Sequence, residues 1–168
     1  MNNNKLNYKK ALDYIIKKSG LSIEDFAEKA NISPSMIRHT SEDWNPKFVT
    51  VEKICSVLNI SVVSFFAIAE HESEINQSIT IKYKIKENNI TQKNLNKKLK
   101  DIREKSNLSK SQLAQKTGIN KTNICNREHL KNQNKILCST LEKFAHSFGL
   151  TMSKLCEEID DEEENEET

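Results

Sequence analysis

Four cysteines and four histidines are the side chains of this chain best suited to nucleophilic or metal chemistry, so their spacing is informative. Cys125 and His129 lie four apart on one helix face, with Cys138 and His146 further along, and this is the arrangement that comes nearest to a zinc ligand set. Structural zinc is usually announced by tighter ligand pairs, and Cys55, Cys125, Cys138 and Cys156 contain no C-x-x-C. Cys55 and Cys156 fall where a helical pattern calls for core residues, so reduced, buried thiols are expected. There is no Ser/His/Asp, paired-carboxylate or phosphate-loop constellation. The sequence therefore points away from an enzyme, with no cofactor and no metal expected.

The other chemistry is electrostatic, and the net charge of +2 conceals it. Residues 1–75 hold 9 basic and 10 acidic side chains, residues 76–156 hold 17 and 5, and residues 157–168 hold none and 9. The three parts carry −1, +12 and −9. Such a density of positive charge on one small domain marks a polyanion binder, whereas a near-neutral domain must bind through shape. The competing reading is that the lysines merely solvate helix faces.

Something must position these charges, and the chain supplies it twice. Residues 15–37 and 102–124 repeat at a constant offset of 87, with Ile15/Ile102, Ser22/Ser109, Ala27/Ala114, Ile32/Ile119 and Ile37/Ile124 identical. After a three-residue insertion in the second copy, the match resumes from Val51/Leu141 to Phe65/Leu155. Three glycines, two prolines and pervasive three-and-four spacing predict an all-helical chain of two five-helix units. The boundaries read as a first domain over 1–75, a linker over 76–92, a second, basic domain over 93–158 and an acidic tail over 159–168. At roughly 65 residues, each unit is near the lower size limit for an unaided core.

In the first copy, Tyr8, Leu12, Ile15 and Ile16 predict a helix stopping near Ser19-Gly20. Ser22 caps a second helix that ends at Asn31, and Ser33-Pro34 opens a third. Helices over 50–58 and 61–70 follow. The second copy predicts helices over 95–105, 110–117, 121–129, 140–148 and 152–158. Between the copies, Ile79, Ile81, Tyr83 and Ile85 alternate with polar residues, which reads as one strand or as a basic linker.

The segment "LSKSQLAQKTGINKTNICNRE" sets Leu113 and Ala114 on one helix, Gly118 at a tight turn, and Ile119 and Ile124 on the next. Two helices can cross steeply over so short a turn when a small residue sits at the crossing, the turn residue accepts positive φ and apolar residues lock the pair. Phe26, Ala27, Asn31, Ile32 and Ile37 meet the same demands in the first copy. Both copies resemble the Cro/phage-repressor helix-turn-helix family, also called the xenobiotic-response-element family, over about residues 8–70 and 94–158.

The resemblance implies that the third helix of a unit enters the major groove while the start of the second meets phosphate. For the second copy it implies base-edge contacts by Lys121, Thr122, Asn123 and Asn126, with Arg127 at the groove wall and Ser109 and Lys110 on phosphate. These residue types suit the task. Lysine donates to guanine, asparagine can bond adenine bidentately, and threonine can pack on a thymine methyl. Arg127 stands where the family is usually apolar, so it must reach outward or the helix end is irregular. In the first copy the corresponding residues are Pro34, Ser35, Met36, Arg38 and His39, which carry little charge, so this copy is expected to keep the fold with little independent grip on DNA.

Two features lie outside that frame. Val62, Val63, Phe66 and Ile68 belong to a helix with almost no polar face, which predicts either a homodimer surface or packing within the chain. After Ile159 the tail carries like charge with no apolar pattern, and disorder is expected. No stretch approaches the ~20 apolar residues of a membrane span, and no secretory leader is evident. The resulting expectation is a cytoplasmic, sequence-specific regulator of double-stranded DNA, a repressor on a bacterial, phage or plasmid mobile element, with no membrane association. A protein-interaction adaptor that uses the two folds as docking surfaces is the alternative.

Overall fold

The computed structural model describes residues 6–70, 92–129 and 136–161, and the strand expected over 79–86 lies outside them. Among the described residues all continuous regular structure is helical, as the spacing predicts. The chain divides into two compact units, Met1–Asn88 and Asn89–Thr168.

The first unit holds α1 (Tyr8–Ser19), α2 (Ile23–Lys29), α3 (Pro34–Arg38), α4 (Phe48–Ser56) and α5 (Val62–Glu70). The first three helices each have a local reason to start. The side chain of Asn7 accepts from the Lys10 amide at 2.9 Å, that of Ser22 from Asp25 at 3.1 Å and that of Ser33 from Met36 at 3.1 Å. Helix α4 begins at Phe48, two residues before the expected Thr50, because Phe48 is itself fully buried and draws the first turn into the core. That core is aromatic. Tyr8, Phe65, Phe66 and Phe48 pack with ring centroids 5.6 to 6.4 Å apart, joining α1, α4 and α5. The backbone amide of Asn7 also donates to the Ala69 carbonyl at 3.3 Å, tying the start of α1 to the end of α5.

The second unit holds α6 (Gln92–Lys105), α7 (Lys110–Thr117), α8 (Lys121–Glu128), α9 (Cys138–Phe148) and α10 (Met152–Asp161). Ser109 and Gln112 form a reciprocal capping box at α7, with bonds of 3.2 and 2.8 Å. Asn120 caps α8 by accepting from the Thr122 amide at 2.8 Å. Helix α9 starts at Cys138, again two residues before the expected Thr140, and Cys138 is as fully buried as Phe48 in the first unit. Leu95, Leu113, Ile124, Leu141 and Leu155 make an aliphatic core.

The repeat shows most clearly in the backbone. Among the described residues each unit has three with positive φ, namely Gly20, Asn31 and Asn59 in the first and Asn107, Gly118 and Gly149 in the second. The sets correspond one to one at offsets of 87, 87 and 90, and at each place one copy uses glycine and the other asparagine. These are the residue types that accept the left-handed conformation most readily, so the same three helix stops are built twice from different side chains.

Two expectations are corrected here. The α5 residues Val62, Val63, Phe66 and Ile68, read either as a homodimer surface or as packed within the chain, are 0%, 5%, 0% and 5% exposed within the single chain, which removes the first reading. A helix with apolar residues on every side is stabilised by being covered on every side, and α5 offers no exposed apolar face. The disorder expected from 159 onward also starts too early, because α10 continues to Asp161. Ile159 extends the apolar spacing of Met152, Leu155 and Cys156, which gives the helix a reason to run on. Residues 162–168 lie outside the described residues.

Candidate nucleic-acid interface

In the second unit, α7 and α8 meet across Gly118, whose φ is 67° and whose amide donates to the Ala114 carbonyl at 2.9 Å. Leu113 and Ile124 are each 1% exposed, and they pin the two helices to the core. That anchoring fixes which side of α8 faces out. Lys121, Thr122 and Asn123 are exposed on its first turn, and Asn126 is half-buried one turn later. The structure thus gathers the four residues expected to read bases onto one short helix, with Ser109 exposed as the cap of α7.

Lys110 and Arg127 stand differently from expectation. The Lys110 ammonium lies 3.2 Å from Oε2 of Glu128 and donates to Sγ of Cys125 at 3.9 Å, so it turns toward the helix pair instead of standing free for phosphate. Glu128 also accepts from Nε and Nη2 of Arg103 at 2.6 and 3.1 Å, while Nη1 of Arg103 donates to the Leu108 carbonyl at 2.7 Å. The Arg103 and Glu128 side chains are 7% and 6% exposed. A carboxylate this deep must be paired, and two cations from α6 and α7 converge on it. Burial pushes the Glu128 carboxyl upward, but hydrogen bonds and charge from Arg103 and Lys110 outweigh this and hold it below its ordinary range. Arg127 is half-buried instead of reaching outward, because it shares the inward side of α8 with Ile124. Its Nη1 is buried without a hydrogen-bond partner, and desolvation lowers its pKa.

Arg103 and Glu128 are not among the expected site residues, although a signal for them exists. Arg103 continues the stripe Leu95, Leu99 and Ile102, and Glu128 lies four residues after Ile124. A charge on each of two inward-facing stripes implies a buried pair.

The equivalent face of the first unit is engaged with itself. Arg38 is ion-paired with Glu24. His39 places Nδ1 2.7 Å from the Ser35 carbonyl and 3.2 Å from its hydroxyl. Helix α3 spans five residues against eight in α8. By the offset of 87, Arg103, Lys110 and Glu128 correspond to Ile16, Ile23 and Ser41, so the ion cluster has no counterpart. Ile16 and Ile23 instead join Ile37 in a groove of about 420 Å³ that is lined as well by Lys9, Asp13, Lys17 and Arg38. The following loop exposes Glu42 and Asp43, and Glu42 accepts from the side-chain amide of Asn7 at 2.9 Å.

Two short helices crossing over a left-handed turn and locked by apolar residues form a helix-turn-helix in each unit. Residues 11–64 match the family model of the Cro/C1-type HTH DNA-binding domain, so the first unit carries the pattern of that family. No curated protein and no solved structure matches the chain. Among the described residues, no helix is long and apolar enough to cross a membrane.

Proposed function

We propose that the protein is a sequence-specific DNA-binding transcriptional regulator, a repressor of a bacterial, phage or plasmid operon acting in the cytoplasm, in which the second unit grips DNA and the first assists. One observation carries this reading. The first turn of α8 exposes Lys121, Thr122 and Asn123 together, within a stretch of the chain that carries 17 basic and 5 acidic residues. Lysines supply salt-dependent attraction to phosphate, and the amide and hydroxyl side chains supply hydrogen bonds to base edges. Asn126 would extend the readout by one turn, and Ser109 would hold phosphate at the start of α7. In the first unit the residues available for contact are Ser35, Arg38 and His39, and all three already have partners within their own unit.

Selection of bound sites from random duplex DNA by the full chain tests the reading. Recovery of a common sequence whose recognition is lost in Lys121→Ala supports it, and a failure to retain any duplex at low salt overturns it.

The groove of Ile16, Ile23 and Ile37 favours a second reading, an adaptor that docks protein through its first unit. Under that reading Ile23→Asp would abolish partner capture while leaving retention of DNA unchanged.

A further inference from the structure

We propose that residues 157–168 are a built-in competitor for the phosphate-binding surface of the second unit, a regulatory role that rests on the DNA-binding reading above. Helix α10 ends the wrong way for its charges. Its carbonyl end already carries about half a negative charge, which favours cations in the last turn. No basic residue lies there. Glu157, Glu158, Asp160 and Asp161 occupy that end instead, and the sequence adds five further carboxylates before Thr168. Met152, Leu155 and Cys156 are 2%, 0% and 1% exposed, so the start of this negative pole is anchored in the body of the unit.

The complementary charge stands on the same unit. Lys116, Lys121, Lys143 and Lys154 are exposed, and none has an ion-pair partner among the described residues. Glu128, deep in the unit, is taken up by Arg103 and Lys110 and neutralises none of them. Seven residues beyond α10 can span about 23 Å when extended, and a tether of that length holds its charges at an effective concentration on the order of millimolar. Such a competitor displaces ligands held by charge alone. A duplex that also makes base-edge contacts retains the part of its affinity that carboxylates cannot imitate. The acidic segment therefore raises the ratio of specific to nonspecific binding.

The test compares the full chain, a chain ending at Asp161, and the full-length variant E162Q/E163Q/E164Q/E166Q/E167Q, which keeps the length and removes the charge. Equal melting curves establish that all three fold alike. Both variants are expected to bind random duplex about tenfold more tightly at low salt, with a smaller gain for a selected site and little gain at physiological salt. Both are also expected to elute from immobilised heparin at higher salt than the full chain. Unchanged heparin elution in both variants overturns the proposal whatever the DNA result. If none of the three proteins retains any duplex while the heparin shift persists, the DNA-binding reading falls and the competitor stands.

Discussion

The two units share the serine cap of their second helix and their left-handed turns but differ at the place where helices α1 to α3, or α6 to α8, come together. In the second unit Arg103, Lys110 and Glu128 fill that place with a buried ion cluster, and in the first Ile16 and Ile23 leave a groove whose charges stand at Lys9, Asp13, Lys17 and Arg38. One fold thus carries a buried ion cluster in one copy and isoleucines bordered by charged side chains in the other. The lesson is that the backbone of this fold is set by cap and turn residues, while the chemistry of the face is set by a few positions that those residues leave free. The match to the DNA-binding family falls on the less basic copy, residues 11–64, so likeness by pattern and strength of the electrostatic signal separate within one chain.

The change expected to separate the units most is removal of one partner from the buried cluster. Glu128→Ala leaves the buried Arg103 without its main counter-charge, and about 3–5 kcal/mol of stability should be lost from the second unit. Ser41→Ala, the corresponding change in the first unit, should cost under about 0.5 kcal/mol. Chemical denaturation with probes in each unit measures both, and equal effects would break the comparison.

The contrast in DNA contact comes next in size. Lys121→Ala or Asn126→Ala should weaken binding by about 1–3 kcal/mol and relax discrimination at one base position, while Ser35→Ala and His39→Ala should do less. Binding titrations against single-base variants of a selected site decide the ranking. Equal damage from the first-unit changes would place readout in both units.

Lys110 offers a finer test, because its surroundings make two outcomes distinguishable. Held by Glu128, it should contribute to folding, so Lys110→Ala should cost about 1 kcal/mol of stability with little change in the salt slope of DNA binding. A slope reduced by about one instead would show that Lys110 leaves Glu128 for phosphate on binding.

The smallest effect expected is on acid stability. Because the folded-state pKa of Glu128 lies below its unfolded value, the stabilisation is present above the ordinary glutamate value of about 4.3 and is lost as pH falls through the depressed folded value. The second unit should therefore lose stability in that acid range, and Glu128→Gln should remove this component of the pH dependence. A parallel pH profile in Glu128→Gln and the parent would refute the assignment.

Much of the fold was legible because it is written in local signals. Serine caps, the Gly/Asn stops and the three-and-four spacing act within a few residues of one another, and α1, α2, α3, α7 and α8 lie where these signals put them. The exposed residues of α8 were legible for the same reason, since Leu113, Gly118 and Ile124 fix its orientation. What the sequence concealed depends on distant partners. Lys110 meets Glu128 across 18 positions and Arg103 meets it across 25; the apolar stripes mark Arg103 and Glu128 as inward-facing, but nothing local to Lys110 announces that it joins them. The burial of α5 is concealed in the same way, because an all-apolar helix looks alike whether it is covered within one chain or by a second.

The exchange of glycine and asparagine at the three left-handed stops has a consequence for the unfolded chain. The first unit uses glycine at one of these stops and the second at two, Gly118 and Gly149. No atom lies within 4 Å of where a Cβ would stand at either position. Asparagine, which already occupies the matching sites Asn31 and Asn59, can therefore be accommodated there. Glycine gives a denatured chain more conformations to lose on folding than asparagine does. The copy that carries the charge is thus also the one whose disordered form is entropically favoured, and a thermal scan would register that difference even if every folded contact in the two units were the same.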